Sequence, residues 1–204
     1  MKKWKKIPIV MSAIILAAYL LAGCGNGKSE PSTDISTVSI KKDGTIEHMI
    51  IDWFDEEHKE WYDIDELTAK GQEKIDSISG GTENIVIESA EEKDGKIIVK
   101  MTYKTGEDYT QCNNRELFYG TVAEASAMGF SVRNIYSEDG TAMNDTKQIW
   151  ENHVVIIQTK KGEELDVNVY DKILYTSDNV VRAGNNDVII NAGESDMISC
   201  IVFK

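Results

Sequence analysis

Between Ile97 and Lys104 the chain alternates strictly. Ile97, Val99, Met101 and Tyr103 interleave with Ile98, Lys100, Thr102 and Lys104. A period of two puts one set on each face of a strand, so this segment reads as a half-buried β-strand. Asp94-Gly95 turns it back onto Ile85-Val86-Ile87. Asp43-Gly44 does the same between Thr37–Ile40 and Thr45–Ile51, because Asp-Gly supplies the positive φ angles of a tight hairpin. The period then changes. Ile64, Leu67, Ile75 and Ile78 fall on one face of a helix over Asp63–Ile78, with Gly71 on that face as its weak point. Asp63 followed by Glu66 three residues later is a capping-box-like start. Thr105 opens a short helix towards Cys112, and Glu116–Tyr119 is a brief strand. Thr121 and Glu124 cap a helix over Val122–Met128 that stops at Gly129.

The second half is richer in strands. Phe130–Tyr136 reads as a strand and Asp145–Asn152 as a further helix. Val154–Gln158, Leu165–Tyr170, Ile173–Thr176, Val180–Arg182, Val188–Ile190 and Ile198–Phe203 follow, with turns at Lys161-Gly162 and Asn185-Asn186. The pattern predicts an α+β fold: a mostly antiparallel sheet with two or three helices in the first half and a strand-rich C-terminal part.

The N-terminus has a different character. Met1–Lys6 is basic, and the 17 residues Ile7–Gly23 form an apolar run ending in Leu21-Ala22-Gly23-Cys24. A membrane-spanning helix needs about 20 apolar residues, so the run fits a cleaved signal better than a permanent span. An uncleaved N-terminal helix is the alternative, at nearly the same location. Residues 1–23 are read as a signal peptide, 24–36 as a flexible tether and 37–204 as a single domain. The change in character near 137–147 marks a candidate subdomain boundary. The Leu-Ala-Gly-Cys ending resembles the processing site of bacterial lipoproteins. That resemblance implies a diacylglycerol on Cys24, whose two chains make a stable anchor where one chain holds only marginally. The expected location is the extracytoplasmic face of the cell membrane.

Processing changes the charge balance. The whole chain carries 22 basic and 35 acidic residues, a net of −13. Lys2, Lys3, Lys5 and Lys6 go with the signal, which leaves 18 against 35, a net of −17. Such a surface excludes nucleic acid as a partner and is repelled by anionic head groups. Only Cys112 and Cys200 remain beside Cys24. Two cysteines make no disulfide framework, and whether they bridge stays open, with two separate thiols preferred.

Candidate chemistry is sparse. His48, His58 and His153 form no pair at ligand spacing, and no zinc or calcium motif is present, so no metal and no cofactor are expected. Asp52, Asp55, Glu56, Glu57, Glu60, Asp63, Asp65 and Glu66 form an acidic stretch whose last members suit a helix N-terminus. No catalytic residue is assigned and no enzyme is expected. Trp53, Trp61 and Tyr62 flank this stretch. They are candidate contacts for a ligand or partner, although covering the sheet edge and the helix start is the preferred role for them.

The strings Trp61-Tyr-Asp-Ile-Asp-Glu-Leu67, Lys100-Met-Thr-Tyr-Lys-Thr-Gly-Glu-Asp-Tyr109, Glu116-Leu-Phe-Tyr-Gly-Thr-Val-Ala-Glu-Ala125 and Lys172-Ile-Leu-Tyr-Thr-Ser177 carry a resemblance. Together they resemble a group of small, uncharacterised lipoproteins from anaerobic Gram-positive bacteria. The resemblance implies an envelope location and no activity. The leading expectation is therefore a non-catalytic interaction or envelope-support module, anchored in the membrane through Cys24 and acting on an envelope protein. The alternative is an extracytoplasmic binder of a small ligand or peptide. A concavity lined by Trp53, Trp61 and Tyr62 favours the binder, and a flat sheet favours the interaction module.

Overall fold

The computed structural model describes residues 34–53, 63–78 and 80–204, all within the compact unit Pro31–Lys204. Cys24, His58, Trp61 and Tyr62 lie outside the described residues. In chain order the strands are β1 (Ser36–Ile40), β2 (Ile46–Trp53), β3 (Ile85–Lys93), β4 (Lys96–Tyr103), β5 (Leu117–Thr121) and β6 (Ile135–Tyr136). They continue with β7 (His153–Thr159), β8 (Glu164–Asn168), β9 (Ile173–Ser177), β10 (Val180–Arg182), β11 (Asp187–Asn191) and β12 (Met197–Phe203). The helices are α1 (Ile64–Ser77), α2 (Gly81–Asn84), α3 (Gly106–Asn113) and α4 (Val122–Ala127).

Local chemistry accounts for the boundaries. Asp63 accepts from the Glu66 amide at 2.8 Å and starts α1. Thr105 starts α3 in the same way, accepting from the Asp108 amide at 3.2 Å. Thr121 and Glu124 close a reciprocal capping box at α4. Asp94 and Gly95, with φ of 53° and 75°, form the β3–β4 hairpin turn, where both central residues need positive φ.

Two sheets result. One has the order β10-β11-β8-β1-β2-β4-β3, the other β5-β7-β12-β9-β6. All strand pairs are antiparallel except β1 with β8, where Val38 stands beside Val167. The fold is α+β with a mostly antiparallel arrangement and a strand-rich second half, as the pattern predicts. One core cluster joins Val38, Ile46, Tyr103 and Val167 of the first sheet to Val155, Ile157, Ile201 and Phe203 of the second. The alternate residues Val154, Ile156, Cys200 and Val202 enter a second cluster with Val122, Ala125 and Ile149. The second sheet is thus buried on both faces. This is why Val154–Ile157 and Cys200–Phe203 read as unbroken apolar runs rather than alternations.

Three expectations are corrected. Phe130–Tyr136 contributes only Ile135–Tyr136 to a strand; Phe130 and Val132 are used to fill the second cluster. Asp145–Asn152 is a single 3₁₀ turn, Thr146–Ile149, capped by Asp145 and held by buried Ile149. Trp53 covers no sheet edge: it is 69 % exposed. Cys112 and Cys200 are separate buried thiols, one in each cluster.

Candidate functional site

The helix α1 packs loosely. Ile75 is its one buried residue, while Ile64 and Leu67 are half-buried. Beneath it lies a cavity of about 220 Å³, roofed by Ile64, Leu67 and Gly71 and floored by Ile87, Val99 and Met101 of the β3–β4 hairpin. An apolar cavity of about 150 Å³ already takes up benzene, so this one has room for a small ring system or a length of acyl chain. Gly71 brings the helix close to the hairpin at this point: a Cβ there would stand 3.3 Å from the Ile87 Cδ1. Thr68, also on the lining, donates its hydroxyl to the Ile64 carbonyl at 2.7 Å, so the helix wall offers no free hydroxyl.

The far end of the cavity is polar. Cys112 and Asn113, from the last turn of α3, line it. Asn113 donates to the Tyr109 carbonyl at 2.9 Å, and the Tyr103 hydroxyl donates to the Met101 sulfur at 3.2 Å. Behind them His48, Tyr103 and Tyr109 form a ring cluster, with His48 and Tyr109 centroids 5.3 Å apart. His48 Nδ1 and the Tyr109 hydroxyl have no hydrogen-bond partner among the described residues. Burial, with the Arg115 charge second, pushes His48 down to about 3, so the imidazole is neutral at pH 7. Burial also pushes the Cys112 thiol up, against the smaller opposing effect of Lys74. A protonated buried thiol lacks the thiolate that nucleophilic chemistry requires. Lys74 also lines the cavity, so the arrangement suits holding an apolar group with a polar end.

An open cleft of about 750 Å³ lies elsewhere, between residues 128–134 and the second sheet. Its walls are mixed, with Met128 and Ile198 exposed and Arg133, Glu116 and Asn134 beside them.

The outer face of the first sheet carries a carboxyl pair. Asp166 is 7 % exposed; its Oδ2 accepts from Thr37 at 3.4 Å and from Asn168 at 3.3 Å. Asp166 Oδ1 and Asp187 Oδ1 are both buried, and no other described residue donates to either. The Asp187 side chain lies within interaction range of Asp166. Burial first, then the hydrogen bond and charge of Asp187, raise Asp166 to about 7. Its folded value lies above its unfolded one, so stability present below about pH 4 is lost as pH rises towards 7. Asp187→Asn gives Asp166 an amide donor and removes the like charge. We expect it to stabilise the fold at pH 8 by about 1–3 kcal/mol and to lose that advantage at pH 4, in urea titrations at the two pH values.

The residues singled out from sequence fall apart in space. Trp53 stands on the outer face of the first sheet, the face opposite the cavity, with Lys96 Nζ 4.6 Å from its ring centroid. His48 belongs to the core, and His153 packs against both Tyr119 and Phe203. Among the described residues no group of three or more metal-ligating side chains converges. The cavity residues Ile87, Val99 and Met101 were visible only as strand core. The one signal pointing to the cavity is Gly71, a glycine in the apolar face of a helix.

No family model matches the chain, and no curated protein matches it. The resemblance to lipoproteins of anaerobic Gram-positive bacteria gains no support from these comparisons. Among solved structures, the folded domain of the LppM protein of Mycobacterium tuberculosis aligns with 87 % of this chain and 95 % of its own length. The identity is 10 % and the TM-score 0.43, a likeness too distant to carry an argument about function.

Proposed function

We propose that this chain is a lipid-anchored, non-catalytic protein of the extracytoplasmic face of a Gram-positive cell membrane, and that its domain binds a small apolar ligand between α1 and the β3–β4 hairpin. The anchor rests on the basic start, the short apolar run and Cys24. The ligand rests on one observation, the cavity under α1 with its apolar roof and floor. The neutral His48 and the protonated Cys112 behind it support binding rather than turnover.

A neutral naphthylamine dye, N-phenyl-1-naphthylamine, tests the ligand. Its fluorescence should rise on binding to the full chain. Ala90→Leu, which fills the cavity from β3, should weaken that binding at least about tenfold, the equivalent of about 1.4 kcal/mol, with an unchanged circular dichroism spectrum. Equal binding by both proteins would rule the cavity out as the dye's site. A second reading, an interaction module, is supported by the exposed outer face of the first sheet, where Trp53 and Val181 are both more than half exposed.

A further inference from the structure

Trp53 is the most exposed of the large apolar side chains among the described residues. It ends β2 and pairs with Lys96, the first residue of β4. The Lys96 ammonium sits over the indole and also forms an ion pair with Asp34, the first described residue. The strand register agrees. Thr37 stands opposite Met49 and Ser39 opposite Glu47, so following β1 back towards the N-terminus leads along β2 towards Trp53. The chain therefore enters the domain beside Trp53. On the same face, one row further in, Ile51 pairs with Ile98, and both are half-buried.

Only nine residues lie between Cys24 and Asp34. A chain of that length reaches at most about 35 Å. With Cys24 acylated, as proposed above, the indole is held within that distance of the bilayer. Tryptophan favours the membrane–water interface, where its ring is apolar and its N–H stays wet. The charges around it are net negative: Lys93 and Lys96 stand against Asp34, Asp52 and Asp94. Attraction to anionic head groups is thus absent, and the contact must be made by the ring.

We infer that Trp53 is a second membrane contact, inserting its indole at head-group depth in the same bilayer that holds the acyl chains of Cys24. This turns the end of β2 and the β3–β4 turn towards the lipid. The inference rests on the lipid-anchor reading.

The test uses mature protein purified from membranes of a lipoprotein-processing bacterium and reconstituted in phosphatidylcholine vesicles containing bromine-labelled acyl chains. Intact mass reports the state of Cys24. With acylated protein, tryptophan emission should be quenched, and Trp53→Phe should remove at least half of the quenched component. Trp53 is mostly exposed and phenylalanine keeps a ring over Lys96, so that variant keeps the fold. Acylated protein whose quenching is unchanged by Trp53→Phe overturns the inference and leaves the anchor standing. A mass without acyl chains on Cys24 overturns the anchor and the inference together.

Discussion

Phe203→Ala should destabilise the domain by about 3–5 kcal/mol, the range for removing a large buried aromatic. Phe203 is fully buried at the end of β12, the strand that β7 and β9 flank. Its ring meets Tyr170 at 5.1 Å, His153 at 5.7 Å and Tyr119 at 6.4 Å. Loss of the ring leaves a void between the two sheets that rigid strands cannot close. Against a typical total stability of about 5–15 kcal/mol, this is a large share. Trp53→Ala, which removes a larger ring, should cost less than about 1 kcal/mol, since that ring is 69 % exposed and loses its contact with Lys96. Denaturant titration of the detergent-solubilised full chain measures both. The reverse order would show that Trp53, and not Phe203, belongs to the framework.

Burying a neutral His48 should make the stability of the fold depend on pH. Its folded value, about 3, lies well below the ordinary 6.5 of an unfolded histidine. The unfolded chain therefore takes up a proton first. Stability is complete above about pH 6.5 and is lost as pH falls towards 3. From pH 7 to pH 4 the loss is about 3 kcal/mol. Asp166 acts in the opposite sense over much of the same range, losing stability as pH rises towards 7. The two slopes offset each other in the wild type, so the effect is read as a difference. His48→Leu should give a stability difference from wild type that shifts by about 3 kcal/mol in its favour between pH 7 and pH 4. A difference independent of pH would show that His48 is solvated or paired.

Much of the fold was legible because local patterns and burial agree. The alternation of Ile97, Val99, Met101 and Tyr103 specifies one buried face, and β4 has that face. The capping residues Asp63, Thr105 and Thr121 all cap as their types suggest. Failures occur where tertiary packing outweighs local pattern. Phe130 and Val132 have the spacing of a strand but serve as plugs for the second cluster. The parallel pairing of β1 with β8 joins residues about 130 positions apart, and no local signal encodes it. The site was less legible still. A cavity is a failure of packing between two elements, and sequence shows each element separately. Trp53 misled for a related reason: an aromatic at a strand end suggests burial, yet its ring rests on Lys96 and stays mostly exposed.

The central claim is that the space between α1 and the β3–β4 hairpin is a binding site. Methyl-labelled protein titrated with N-phenyl-1-naphthylamine tests it most directly, because Ile64, Leu67, Ile87, Val99 and Met101 all carry methyl groups at the cavity wall. Binding there predicts that their resonances shift together and saturate with the dye signal, while those of Met128 and Ile198 in the open cleft stay in place. Shifts confined to Met128 and Ile198 would contradict it and move the site to the second sheet.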